Sequence, residues 1–199
     1  MRGFYFITDD ALSLKGSLSD IRAALKAGVE IIQYRAKNKS TKLMCLQAKE
    51  LKKAAAKSLF IINDRIDIAL AIDADGVHLG QDDMPCDVAR IILGPDKIIG
   101  ISVNNTEQAI LAQEQGASYL GIGAVFATKT KTEAAALGIK TIENIAKHVS
   151  IPIVAIGGIK LENAKQIIDA GADAVCAISA IVTKNDVSKE ILKFQRLFK

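Results

Sequence analysis

Two aspartates follow successive apolar runs: LFIIN (59–63) meets Asp64, and GVHLG (76–80) leads into Gln81-Asp82-Asp83. If these runs are neighbouring parallel strands, Asp64 and Asp83 share one rim. Two carboxylates so placed suit Mg²⁺, a hard cation that takes few protein oxygens and completes its shell with water and substrate phosphate. The same aspartates also suit helix N-caps, Asp64 for a helix near Arg65 and Asp82 or Asp83 for one near Pro85. In QYRAK (33–37), alternation along a strand puts Gln33 and Arg35 on one face, and Lys37 joins them if the chain stays extended. An amide and two cations facing one way fit an anionic ligand, because a guanidinium matches phosphate oxygens with a planar fork. An ordinary strand end with snorkelling bases is the plain alternative.

The stretch AVFATKTKTEAAAL (124–137) carries Thr128, Lys129, Thr130 and Lys131, whose hydroxyl, amide and ammonium groups suit phosphate in a mobile lid. A solvated connector explains it equally well. Gly157-Gly158 and Ile178-Ser179 end two further apolar runs. The chain has two histidines, His78 and His148, and no nucleophile–His–Asp set or zinc cluster is legible in it. His78 reads as a satisfied interior side chain and His148 as a helix-surface residue. This inventory suits the binding of two phosphate-bearing groups and one metal better than nucleophilic attack by the protein. It fits a reaction in which pyrophosphate departs and the second substrate brings its own nucleophile.

The elements that must position these residues are announced by a recurring phrase. Lys26-Ala27-Gly28, Ile72-Asp73-Ala74, Gln115-Gly116-Ala117 and Ala170-Gly171-Ala172 each stop a helix and feed a β-rich run. Eight strands follow from this reading: 4–8, 30–35, 59–63, 76–80, 98–103, 119–125, 152–157 and 174–179. Between them lie helix-period stretches, such as Leu43, Leu46, Leu51 and Ala54, and a last one through Ile191, Leu192, Phe194 and Leu197. Strict alternation predicts a parallel sheet, and eight units without a linker predict a single-domain (β/α)8 TIM barrel over residues 1–199. A doubly wound sheet is the runner-up, and no strand is followed by GxGxxG. A barrel site lies at the C-terminal strand ends, where Thr8, Asp9, Asp10, Ser102 and Asn104 join the residues above.

Bulk composition sets wide limits. The chain has 199 residues and a formal charge of +4, too mild to indicate nucleic acid; it would suit small anionic substrates if Lys and Arg gather at one opening, and a scattered solvated surface is the plainer reading. No apolar run reaches bilayer length, so no membrane partner is expected. Cys45, Cys86 and Cys176 form no paired motif and fit a reducing cytoplasm. Oligomeric state is not legible.

Together the motifs resemble the thiamine-phosphate synthase family, from YFITD (5–9) through QYRAK, INDRIDIALAIDADGVHLGQDDMP (62–85), GISV (100–103), GIGAVFATKTK (121–131) and IPIVAIGGI (151–159) to AISAI (177–181). The resemblance implies a (β/α)8 transferase that joins a hydroxymethylpyrimidine diphosphate to a thiazole phosphate and releases pyrophosphate. It implies that the segment Gln33, Tyr34, Arg35, Ala36 and Lys37, with Asn63 and Lys131, holds the diphosphate substrate. Ser102 would contact the aminopyrimidine, and Asp64 and Asp83 would bind Mg²⁺. Thr128, Lys129, Thr130, Gly158, Ile178 and Ser179 would line the thiazole-phosphate side. By the same resemblance Arg35, Lys37, Ser102 and Lys131 would carry the catalytic roles. The family usually has glutamate at 36 and proline at 124, and this chain has alanine at both. The alternatives are a thiazole tautomerase-like paralogue, which would place histidine near 124, and a non-catalytic phosphometabolite-binding barrel.

Overall fold

A computed structural model of the chain describes residues 1–55, 57–128 and 136–199. Strands β1 (Gly3–Ile7), β2 (Ile31–Tyr34), β3 (Leu59–Asn63), β4 (Gly76–Leu79), β5 (Ile98–Val103), β6 (Tyr119–Ile122), β7 (Ile153–Ile156) and β8 (Ala174–Cys176) alternate with helices. These are α1 (Ser17–Lys26), α2 (Thr41–Ala54), α3 (Ile66–Ala71), α4 (Cys86–Leu93), α5 (Thr106–Glu114), α6 (Ile139–Ala146), α7 (Leu161–Asp169), α8 (Ile178–Val182) and α9 (Val187–Gln195). Among the described residues the eight strands pair in chain order, all parallel, and β8 returns to β1 to close the ring. This is the expected TIM barrel. Most strands match the expected ranges to within a residue at each end, and two stop three residues early. β6 stops at Ile122, after which Val125 and Phe126 donate their N–H groups to the Ile156 and Gly157 carbonyls; β8 stops at Cys176, because the chain enters α8 at Ile178.

The helix-stop phrase works through one geometry. Gly28, Gly116 and Gly171 take φ values of 75°, 88° and 106°, and Asp73 takes the same left-handed role at 53°. After each, the next residue donates its N–H to a carbonyl five residues back: Val29 to Ala24, Ala74 to Ala69, Ala117 to Ala112, and Ala172 to Ile167. The chain is thereby turned straight into the next strand.

Those strand starts form the lower rim, and their polar residues are structural. Asp75 Oδ2 accepts from Phe60 N at 2.7 Å, Asp173 Oδ2 from Ile153 N at 2.9 Å, and Ser118 Oγ from Ile99 N at 3.1 Å. Arg90 spreads its guanidinium over the carbonyls of Gly94, Lys97 and Gly116. Edge amides left over where strands begin are thus paired.

Two cores follow from the pleat. Phe4, Phe6, Ile32 and Tyr34 point outward and pack under the helices, while Tyr5, Ile7, Ile31, Ile61, Tyr119 and Val154 fill the barrel. On α2 the buried stripe is Met44, Ala48 and Leu51, with Leu43 and Leu46 exposed. The sequence spacing therefore located the helix and Leu51 correctly, with Ala54 packed against the core, but in the first turns Met44 and Ala48 face inward in place of Leu43 and Leu46. Among the described residues no helix is long and apolar enough to cross a membrane.

Candidate active site

The upper ends of the strands surround one cavity of about 370 Å³. Register explains who meets whom. Pairing sets Gln33 beside Ile7, Asn63 beside His78, His78 beside Gly100, and Ser102 beside Gly121. Side chains of one parity therefore converge from β2, β3, β4 and β5. Gln33, Arg35, Lys37, Asn63, Asp64 and Asp83 line the cavity, and so do Ser102, Thr128, Gly158, Ile178 and Ser179.

The same pleat excludes two residues expected here. Tyr34 is fully buried on the outer face of β2, where its hydroxyl donates to Gln47 Oε1 at 2.7 Å. Ala36 packs against the outer core. Neither lines the cavity. Lys129, Thr130 and Lys131 lie outside the described residues. His78 faces the barrel interior as expected; His148 lies just beyond the end of α6, exposed, with Nδ1 at 2.8 Å from the Asn144 carbonyl.

Asp64 and Asp83 are not spent on helix caps. The N-cap of α3 is Arg65 and that of α4 is Pro85, and among the described residues neither is capped by a side chain. Asp83 Oδ2 instead accepts from Gly80 N at 2.7 Å, which turns its loop back toward β4. Asp64 sits in a left-handed backbone position, φ 62°, rare for a residue with a side chain. Its N–H donates to the His78 carbonyl and the Arg65 N–H reaches back to the Asn63 carbonyl, both at 2.8 Å, closing a three-residue turn around it. The two carboxyl groups come within hydrogen-bonding reach of each other. Burial and the facing Asp83 push the Asp64 carboxyl up to about 6, against the pull of Arg35. Two carboxylates that crowd one another beside a guanidinium form a donor set that a hard cation would relieve.

Arg35 is anchored from behind. Its N–H donates to Thr8 Oγ1 at 3.1 Å, and its guanidinium lies 3.5 Å from Asp9 Oδ2. Across the cavity Gly157 and Gly158 take φ 97° and 66°, and a Cβ on Gly158 would come within 2.7 Å of Phe126 Cβ and 2.9 Å of the Ala127 carbonyl. Only glycine fits that close passage. The β6–α6 connection is tied at its described ends, where Leu137 and Gly138 donate to the carbonyls of Ala124 and Val125. This tie sets Thr128 at the cavity wall.

The floor was not legible in the motifs. Tyr5, Tyr119 and Cys176 lie beneath the polar rim and line the cavity from below. Their alternation with outward Phe4, Phe6, Leu120 and Val175 was the available signal.

Comparison with known proteins converges on one family. The family model described as thiamine monophosphate synthase matches residues 4–181. The chain is 51% identical over 193 residues to the thiamine-phosphate synthase of Methanosarcina barkeri, covering 96% of this chain and 88% of that protein. It is 45% identical to that of Pyrococcus abyssi, covering 97% and 93%. Among solved structures, thiamine phosphate pyrophosphorylase from Pyrococcus furiosus superposes with a TM-score of 0.90 at 41% identity, covering 98% and 94%. 3-Hexulose-6-phosphate synthase shares the fold at a TM-score of 0.70 and 18% identity.

Proposed function

The chain belongs to the thiamine monophosphate synthase family of transferases, and from that premise we propose how its cavity makes thiamine phosphate. The substrates are 4-amino-2-methyl-5-hydroxymethylpyrimidine diphosphate and 4-methyl-5-(2-phosphooxyethyl)thiazole. Arg35 and Lys37 bind the diphosphate from β2, with Lys131 of the β6–α6 connection assigned by resemblance. Gln33, Asn63 and Ser102 orient the pyrimidine. Thr128, Gly158, Ile178 and Ser179 receive the thiazole phosphate from the opposite wall.

The reading rests on one observation: the Asp64–Asp83 pair, free of capping duty, shares a cavity with Arg35 and Lys37. Asp64 and Asp83 would hold Mg²⁺, which when bound offsets the negative charge on the departing diphosphate. The C–O bond breaks and its electron pair leaves on pyrophosphate. The pyrimidine methylene cation is then captured by the lone pair of the thiazole nitrogen, forming the C–N bond. No protein group need move a proton in this sequence. Arg35 and Lys37 place positive charge where oxygen charge accumulates, and Ile7, Val154 and Ile156 keep the wall beside the reacting carbon apolar.

The three cysteines are free thiols, in keeping with a cytoplasmic setting, which we assign here. The test is direct. Protein incubated with both substrates and Mg²⁺ should form thiamine phosphate, detected by fluorescence of its oxidised product. Absence of product across a metal titration would overturn the reading.

A further inference from the structure

Beneath the rim a thread of hydrogen bonds crosses the barrel between two of the residues assigned to the pyrimidine. Gln33 Nε2 donates to the Tyr5 hydroxyl at 3.0 Å, and the Tyr5 and Tyr119 hydroxyls are 2.7 Å apart. Tyr119 Oη lies 2.8 Å from His78 Nδ1, and His78 Nε2 lies 2.9 Å from Ser102 Oγ. Both tyrosines and Gln33 are at most 2% exposed.

The barrel is emptied to make room for this thread. A Cβ on Gly100 would sit 2.1 Å from the Tyr119 ring and 2.5 Å from His78 Nδ1. One on Gly121 would sit 2.8 Å from His78 Cε1. Two strands thus surrender inward side chains at the heights where the rings lie.

The thread has a direction. The Gln33 amide donates to the Tyr5 hydroxyl, which leaves Tyr119 as the acceptor for the Tyr5 proton. Burial raises both phenols above their ordinary range, so each keeps one proton to pass on. Donation from Gln33 to Tyr5, Tyr5 to Tyr119 and Tyr119 to His78 Nδ1 leaves the imidazole proton on Nε2, facing Ser102 Oγ. That oxygen then accepts, and its own proton points onward into the cavity.

We propose that Tyr5, Tyr119 and His78 are positioning residues that fix Ser102 as a hydrogen-bond donor, so that Ser102 recognises an acceptor nitrogen of the pyrimidine ring and not its amino group. The inference rests on the assignment of Ser102 to the pyrimidine made above. It adds the polarity of that contact and its dependence on residues a strand or more away.

Three measurements test it. Nitrogen-15 NMR of the enzyme with His148→Gln, which leaves one imidazole, should show His78 as the Nε2–H tautomer; the Nδ1–H tautomer would overturn the proposal even if no other variant folds. Tyr119→Phe keeps the ring and cuts the thread. It should lower kcat/KM for the pyrimidine diphosphate about three- to tenfold, the range one lost hydrogen bond supports, with KM for the thiazole phosphate unchanged. In the Ser102→Ala background the same substitution should cost nothing further, whereas additive losses would show a merely structural role and overturn the inference alone. If Ser102→Ala by itself leaves pyrimidine kinetics intact, the underlying assignment of Ser102 fails, and the inference with it.

Discussion

Asp64 concentrates the demands of the site in one residue. Its backbone occupies a strained region, and its carboxyl faces another at close range, an arrangement that costs the unliganded protein stability. The pH dependence follows from the sign of the shift. A carboxyl raised to about 6 in the folded protein ionises in the unfolded chain first, so stability drains away between pH about 4 and 6 and stays lower above that. Metal-free Asp64→Asn should therefore melt at a higher temperature than the parent above pH 6 and near the same temperature below pH 4. Mg²⁺ should stabilise the parent and not the variant, and turnover of either Asp64→Asn or Asp83→Asn should fall sharply. Calorimetry with and without Mg²⁺, beside initial rates, checks all of this. Tyr34 supplies the contrast. Its motif neighbours enter the cavity, but its hydroxyl is bound to Gln47 behind the strand. Tyr34→Phe should lower stability by about 1 kcal/mol with kinetics unaltered, read by urea unfolding and steady-state rates.

At the scale of elements, the two ends of each strand have separate duties. Asp75 and Asp173 tie down the Phe60 amide of β3 and the Ile153 amide of β7 at the lower rim. Asp75→Ala or Asp173→Ala should lose about 1–2 kcal/mol of stability by leaving an amide unpaired, while kcat and both KM values hold. Gly158→Ala should differ by reaching the chemistry as well. A side chain there would press on Phe126 and the Ala127 carbonyl at φ 66°, so the expected result is a raised KM for the thiazole phosphate together with a lowered melting temperature. Equal effects of both kinds at both rims would contradict this division. The helix-stop phrase made these elements readable, because glycine or Asp73 at a left-handed turn is a local requirement. The buried face of α2 was less readable, since two overlapping stripes, Leu43–Leu46 and Met44–Ala48–Leu51, both satisfy the helical period. Which one turns inward is decided by how the helix lies on β2 and β3.

For the whole molecule, the ring closes where β8, three residues long, meets β1. With Tyr5 and Tyr119 packed inside the ring, near-ultraviolet signals from tyrosine and far-ultraviolet signals from backbone should be lost in one transition on heating. Earlier loss of the tyrosine signal would mean that the seam opens by itself. The barrel, the inward parity of Gln33 and Arg35, and the paired aspartates were all visible in local pattern. The thread through Tyr5, Tyr119 and His78 was not, because its partners lie up to 114 residues apart and meet only once the ring is shut. Nor could spacing tell a capping aspartate from one pointing into a cavity, since both stand at the same place in the chain.

The tyrosine floor also governs traffic. Among the described residues Tyr5 and Tyr119 close the lower end of the chamber, so molecules would enter and leave past the polar rim. The ring seated deepest is the last out. On the proposed assignment, pyrophosphate held by Arg35 and Lys37 would clear the passage before the joined product follows.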